Sequence, residues 1–584
     1  MSKKHYQFIK NSLLVLCISL AFSCANIVAP TGGPKDITPP KVKISEPPNY
    51  SANVSGNKIQ ITFNEYVVLE DQANQIVVSP PTEEPPEFNI KGKSIVIDLP
   101  KDIRDSITYT IYFGESIRDN NEGNILSGYE YAFSKSNVVD SFSMQGQVYD
   151  ALTLEPQKGI LVMLYTSDDD SMPIKNKPCY LTKTDAGGKF FLKNLKRKKY
   201  KIFVLKDMNA DMMFNQPTEL IAFADSMLTP QYVPVKVDSV AVEDSLSVTR
   251  DSIIIPEIIR STSLYLFIQP DTNQKLLKDR ADTYRQFKLF FKYPVKDLKI
   301  SVTNKQMPEN WNTIEYSRGR DSLTCWLSSP DLDTLKCILS DKGIIIDTLE
   351  IALKQKPDES KNVKKPSGKG SDDLYDLHKL GISCNANASN RFPYFAPLKL
   401  RLSHPGAKTD YSKIILSEKI DSNFVEIKPR TYFPDSNITR TLNLEYKWEA
   451  EKTYRLLVLP GAFTDVYGLV NDSLSVSFST NKPEDYGRLL FTIKPEESNK
   501  SFIVQLLKED KSFLEQRPGV KGQPIIFDNL GPGNYHIRIV IDENNNGKWD
   551  AGDYFQKRQP ERVFYFPDLI NIRANWDTEY DFLF

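Results

Sequence analysis

Apolar and polar residues alternate at a spacing of two through most of the chain. Ile59, Ile61 and Phe63 alternate with Gln60, Thr62 and Asn64, and the runs Ser94 to Leu99, Thr108 to Phe113, Ile160 to Tyr165 and Leu264 to Ile268 have the length of strands. Period two is the mark of strands packed on one face, whereas helical-period runs are scarce. The pattern predicts an all-β chain. One stretch also occurs twice. Asn194-Leu195, Tyr200, Ile202 and Asp207 to Asn215 reappear as Asn529-Leu530, Tyr535, Ile537 and Asp542 to Asp550, each 335 positions on (542 minus 207). A turn, a strand and an acidic, Asn-rich loop have been used twice, which predicts a tandem architecture.

A chain of 584 residues holds several domains. Composition shifts divide it into a leader at 1–23, a tether at 24–39, and domains at 40–137 and 138–257, the latter with its connector. A third domain at 258–355, a polar linker at 356–379 and domains at 380–485 and 486–584 follow. The first domain carries Pro39-Pro40, Ile59 to Glu65, Tyr109 to Ile111 and Asp119 to Asn124. It resembles the bacterial Ig-like domain first described in S-layer proteins. Residues 380–481 repeat its landmarks, with Thr453-Tyr454, Asp465 to Gly468 and Phe478 standing like Thr108-Tyr109, Asp119 to Gly123 and Phe133. The second domain reads Gly146 to Asp150, Thr184-Asp185 to Phe190, Asn194-Leu195 and Tyr200. It resembles the carboxypeptidase regulatory-like, or transthyretin-like, β-sandwich, and so does 486–584, where the Thr-Asp-x-x-Gly-x-Phe segment is missing. These resemblances imply tandem non-catalytic sandwiches. No family pattern fits 258–355.

The N-terminus is an address. Lys3, Lys4 and Lys10 precede an apolar core from Leu13 to Phe22, which ends in Ala21-Phe22-Ser23-Cys24. The core is short for a membrane span. The ending resembles the lipobox of bacterial lipoproteins, which implies a signal peptide and a diacylglycerol/acyl anchor on Cys24. The start as a whole, with Thr31-Gly32-Gly33-Pro34-Lys35-Asp36 leading into the first domain, resembles a family of Bacteroidota Ig-like lipoproteins. That resemblance implies a lipid-anchored outer-membrane protein. Ala25-Asn26-Ile27-Val28 lacks the acidic residues of a surface-export signal, so the periplasmic face is expected. Asp-[Ser/Thr]-apolar triplets such as Asp105-Ser106-Ile107, Asp321-Ser322-Leu323 and Asp472-Ser473-Leu474 resemble the O-glycosylation motif of that group.

Charge and rare residues narrow the chemistry. A formal net charge of −1 gives no reason to expect nucleic acid. After Cys24 only Cys179, Cys325, Cys337 and Cys384 remain, which is no disulfide framework. Cys325 and Cys337 are symmetric about Asp331; they would face each other across a hairpin, or else be two buried thiols. His378 lies in the linker, His404-Pro405-Gly406 reads as a turn, and His536 alternates along a strand. No catalytic motif accompanies them, so no enzyme is expected.

The second copy of the repeated loop is the best chemical candidate. Asp542, Asn544, Asn546, Lys548 (through its carbonyl), Asp550 and Asp553 have the spacing of a twelve-residue calcium loop, with Gly547 at the sharp turn. Calcium is a hard cation that takes six to eight oxygens, which a curled loop can supply. The other reading is a polar turn whose Asp and Asn side chains cap their own backbone. The first copy offers Asp207, Asn209 and Asp211, but has Met212 in place of the glycine. The expected function is a modular scaffold or interaction protein of the cell envelope, with a role as an accessory of an outer-membrane assembly or export complex among the expectations. Other envelope proteins are its expected partners, and a small-molecule ligand is not expected. The alternative is a carbohydrate- or peptide-binding lipoprotein that serves a transporter or enzyme.

Overall fold

The computed structural model describes residues 35–232 and 261–584, apart from 271–272, 282, 318, 329–332, 356–378, 388, 390, 435–438 and 497–499. The leader, Cys24, the start of the tether, the connector 233–260 and almost all of the polar linker lie outside the described residues. The all-β expectation holds. Helix among the described residues amounts to two four-residue turns, Gln72–Gln75 and Met172–Lys175, and two 3-10 turns. No helix there is long and apolar enough to cross a membrane.

The first domain has nine strands: β1 (Val42–Glu46), β2 (Lys58–Phe63), β3 (Val67–Leu69), β4 (Val77–Ser79), β5 (Glu87–Lys91), β6 (Ser94–Asp98), β7 (Thr108–Tyr112), β8 (Ile117–Asp119) and β9 (Glu130–Ser134). They pair as β1-β2-β6-β5, β4-β7-β9 and β3-β8. The alternation read in β2 is borne out, since Ile59, Ile61 and Phe63 are wholly buried while Lys58 and Gln60 face water. Tyr109 stacks on Phe133 at 5.7 Å, and its hydroxyl accepts a hydrogen bond from Arg104 N at 3.1 Å.

The second domain comprises β10 (Phe142–Asp150), β11 (Leu161–Tyr165), β12 (Tyr180–Lys183), β13 (Lys189–Leu195), β14 (Lys201–Lys206), β15 (Leu220–Phe223), β16 (Gln231–Tyr232) and β17 (Ser261–Ile268), ordered β12-β11-β14-β15-β17-β10-β13. This corrects one boundary. The run Leu264 to Ile268 does not open the third domain. It runs parallel to β10 and antiparallel to β15, and so closes the second. Leu264 and Leu266 enter that core beside Val148 and Val204.

The third domain holds β18 (Leu276–Arg280), β19 (Gln286–Phe291), β20 (Leu298–Val302), β21 (Asn312–Tyr316), β22 (Ser322–Leu327), β23 (Thr334–Asp341) and β24 (Ile344–Ala352). Its sheets are β18-β19-β22-β21 and β20-β23-β24. Cys325 and Cys337 therefore do not face each other across a hairpin, because β22 and β23 belong to different sheets. Both are free, buried thiols of one core.

The fourth domain has β25 (Ile382–Cys384), β26 (Leu398–Leu402), β27 (Gly406–Thr409), β28 (Ile414–Ile420), β29 (Asn423–Ile427), β30 (Arg430–Tyr432), β31 (Thr441–Glu445), β32 (Thr453–Val458), β33 (Phe463–Asp465) and β34 (Leu474–Ser479). The order β25-β26-β31-β30, β29-β28-β32-β34 and β27-β33 is that of the first domain with one strand added at an edge. Tyr454 stacks on Phe478 at 5.7 Å and accepts from Glu449 N at 3.0 Å, the counterpart of Tyr109.

The fifth domain has β35 (Gly487–Lys494), β36 (Ser501–Lys508), β37 (Phe513–Gly519), β38 (Pro524–Leu530), β39 (Gly533–Asp542), β40 (Val563–Tyr565), β41 (Ile570–Ile572) and β42 (Asp577–Leu583). Its sheets β38-β35-β42 and β37-β36-β39-β40 repeat the second domain's order. The parallel pair of β35 with β42 matches that of β10 with β17.

Packing divides the chain into two compact units that do not follow the sequence in one cut. Unit 1 is the chain up to Gln269 together with Ala551–Pro560, and unit 2 is Pro270–Asp550 with Glu561–Phe584. Within unit 1, Tyr554 is 1% exposed and meets the rings of Phe203 at 5.0 Å and Phe223 at 5.2 Å edge-on. Its hydroxyl donates to Asp170 O at 2.9 Å, and Lys201 lies 5.3 Å from its ring centre. Gly552 passes so close to Phe267 that a Cβ there would come within 2.6 Å of its ring.

Candidate functional site: the repeated acidic loops

Each loop begins where a long central strand runs out, at the end of β14 and of β39. Asp207 accepts at Oδ1 from the backbone N of Asn209 and Ala210 and at Oδ2 from Met212 N. Asp542 does the same for Asn546 N at 3.0 Å and Gly547 N at 2.9 Å. The backbone repeats as well. Ala210 and Met212 have φ of 61° and 63°, and their counterparts Asn545 and Gly547 have φ of 57° and 76°. Met212 thus holds the left-handed turn that glycine takes without strain in the second copy.

The side chains expected to ligate converge in part. Asn544 Nδ2 donates to Asp550 Oδ2 at 2.6 Å, and Asn546 Nδ2 donates to the same oxygen. Lys548 N donates to Asn546 Oδ1 at 2.9 Å. In the first copy Asn209 and Asn215 turn their amides to Asp211 in the same way. Asp553 has another role. Its Oδ1 accepts from Gln269 Nε2 at 2.9 Å and from the backbone N of Phe555 and Gln556, all within unit 1. It does not close the loop's oxygen set. Among the described residues no group of three or more His, Cys, Asp or Glu side chains is arranged to hold a metal ion.

The residue that braces each loop is a buried glutamate that the sequence reasoning missed. Glu561 is 7% exposed, and accepts from Glu543 N and from Asp550 N, both at 2.9 Å. Glu219, wholly buried, accepts from the counterparts Met208 N and Asn215 N, both at 3.2 Å. Burial pushes the Glu561 carboxyl above its ordinary value, against the pull of those two N–H groups. A carboxylate is worth burying there because each of its oxygens pairs with a donor of the curled backbone.

The Ig-like landmarks are related turns. Asp119, 2% exposed, accepts from the backbone N of Asn121, Glu122, Gly123 and Asn124. Burial pushes its carboxyl up, but the four donors outweigh this and hold it down at about 2. Asp465 accepts from Tyr467 N and Leu469 N, and its second oxygen receives His404 Nδ1 at 2.8 Å. His404 does sit at a bend, but it is 1% exposed and packed edge-on against Tyr467 at 5.4 Å. Burial also pushes the Cys337 thiol up to about 11 and Cys325 further, so both stay protonated at neutral pH.

Residues 36–135 match the family described as bacterial Ig-like domain. None of the curated proteins compared with the chain matches it. Among solved structures, the major pilin subunit of Bacillus cereus is 9% identical, covering 76% of this chain and 99% of its own, with a TM-score of 0.14. The S-layer protein SbsC is 10% identical over 92% of this chain and 68% of its own, with a TM-score of 0.13. The part of native alpha-2-macroglobulin from Escherichia coli that spans domains MG0-NIE-MG1 is 8% identical over 51% of this chain and 97% of that solved chain, with a TM-score of 0.16.

Proposed function

We propose that the chain is a non-enzymatic, lipid-anchored scaffold of the cell envelope, a Bacteroidota-type lipoprotein that holds other envelope proteins through its domain surfaces. The observation that carries this reading is the duplication. Domains one and two, an Ig-like strand order followed by a transthyretin-like one, recur as domains four and five with the same core strand order, apart from the added edge strand β29 and the β15–β17 pairing, which has no counterpart in domain five. Repeating a pair of closed sandwiches multiplies rigid surface, as a spacer or docking protein requires. Cys24 would carry the acyl anchor, and the periplasmic face of the outer membrane is the proposed address. The second acidic loop adds a proposed calcium site on Asp542, Asn544, Asn546, Asp550 and the Lys548 carbonyl, without Asp553. A bound ion would stiffen the loop.

The test is envelope fractionation with a palmitate label in a Bacteroidota host, followed by cross-linking of the native protein. Label on the native protein but not on Cys24→Ala, together with cross-links to defined outer-membrane proteins, is the expected result. An unlabelled protein, or a protein with no cross-linked neighbour, overturns the reading.

A further inference from the structure

One sheet face in the third domain is organised as a binding platform. On the sheet β18-β19-β22-β21, alternation sends Phe287, Leu289, Leu323 and Cys325 into the core. The opposite face is built of cross-strand pairs: Gln286 beside Trp326, Lys288 beside Thr324, and Phe290 beside Ser322. Glu315 of β21 flanks Thr324. Within unit 2, Arg401 and Arg440 of the fourth domain close this face into a cleft of about 450 Å³. That volume lies in the ~300–1,000 Å³ range of small-ligand sites.

The polar groups of the cleft are unevenly matched. Arg440 is committed, pairing with Glu315 at 3.0 Å, donating to Leu402 O and lying 5.1 Å over the Trp326 ring. Lys288 and Arg401 line the same space without a carboxylate partner among the described residues. Gln286 is 9% exposed, and its amide makes no hydrogen bond to a described residue. Two cations without carboxylate partners and a water-accessible amide therefore face one cavity. Charge-assisted hydrogen bonds are the strong ones, so such a set is suited to a ligand that brings its own anions and hydroxyls.

The sheet also limits the class of ligand. β19 and β22 are interior strands whose backbone groups are already used in ladders on both sides. An extended peptide has no edge to add to on those two strands, although β21 is the edge of the sheet and its Glu315 and Tyr316 line the cleft. Over β19 and β22 recognition comes from side chains: an amide, hydroxyls, two cations and the half-buried ring of Phe290. We propose that this cleft binds an acidic oligosaccharide, with Lys288 and Arg401 receiving its carboxylates and Gln286 and Thr324 its hydroxyls. The proposal stands apart from the scaffold reading.

Calorimetric titration of the purified full chain tests it, with trigalacturonate, neutral maltotriose and triglutamate as probes. Trigalacturonate is expected to bind at least about tenfold more tightly than maltotriose. Lys288→Glu and Arg401→Glu are each expected to weaken it by about tenfold or more, at an unchanged melting temperature. Lys158→Glu, in the second domain, leaves binding as it was. Absence of binding by trigalacturonate, native-like affinity in both cleft variants, or tighter binding of triglutamate overturns the proposal.

Discussion

Asp119 and Glu561 show the same economy with opposite signs. Each buried carboxylate collects backbone donors of a tight turn, yet Asp119 is held at about 2, below its ordinary 3.8, while Glu561 is raised. The stabilisation from Asp119 is therefore complete above its ordinary value and is lost as pH falls through about 2. Asp119→Asn is expected to lower the urea midpoint at pH 7, with the gap from native closing as the pH is brought down to that value. A gap that persists in acid would contradict this. For Glu561→Ala the expectation is a loss of about 1–3 kcal/mol for each of the two N–H groups left without an acceptor, with Glu561→Gln costing less. Thermal melts of the two variants check it. Asp207 and Asp542 were legible in the sequence because their loops repeat at one fixed offset. The glutamates were not. Glu219 and Glu561 lie 342 apart instead of 335, since the second copy is seven residues longer between its loop and its brace.

At the scale of elements, strands were easier to read than their neighbours. The run Leu264 to Ile268 is plainly a strand, but a parallel partner at Gln145 to Asp150 leaves no local mark, so it was placed at the head of the next domain. The Cys325–Cys337 symmetry left a facing pair and two buried thiols both open, because spacing does not say whether two strands share a sheet, and the structure gives the buried thiols. The strand β42 lies along β35 and completes that sheet of the fifth domain. The acidic loops were found but only half understood, with four of the six expected residues converging and Asp553 engaged elsewhere. If the loop takes calcium, the ion stabilises the fold by mass action, worth about 2.7 kcal/mol at a hundredfold excess over Kd. Metal-stripped full-length protein should then melt higher in calcium than in chelator, and Asp542→Ala should abolish the difference. Identical melts would leave the loops as backbone-capping turns.

Across the whole molecule, the duplication of a pair of β domains was legible from two sets of landmarks, and the strand orders of domains one and two recur in domains four and five. What no pattern could reveal is that unit 1 takes in Ala551–Pro560. Tyr554→Ala is expected to destabilise unit 1 by about 3 kcal/mol, the scale for deleting a buried aromatic ring. Tyr554→Phe, which loses only the bond to Asp170 O, should cost about 1 kcal/mol. Hydrogen exchange in β14 and β15 reads both, and native-like protection in the alanine variant would deny the ring its role.

That borrowed segment also sets a timetable. The chain reaches Gln269 long before Pro560 is made, 291 residues later (560 minus 269). At ~5–20 residues per second, synthesis alone keeps unit 1 incomplete for roughly 15–60 s. Through that interval Phe203 and Phe223 lack the Tyr554 ring that covers them, and Phe267 lacks the close backbone of Gly552. Unit 1 therefore stays unfinished until residues 551–560 have been made, and through that wait its exposed rings are a surface for chaperones to hold.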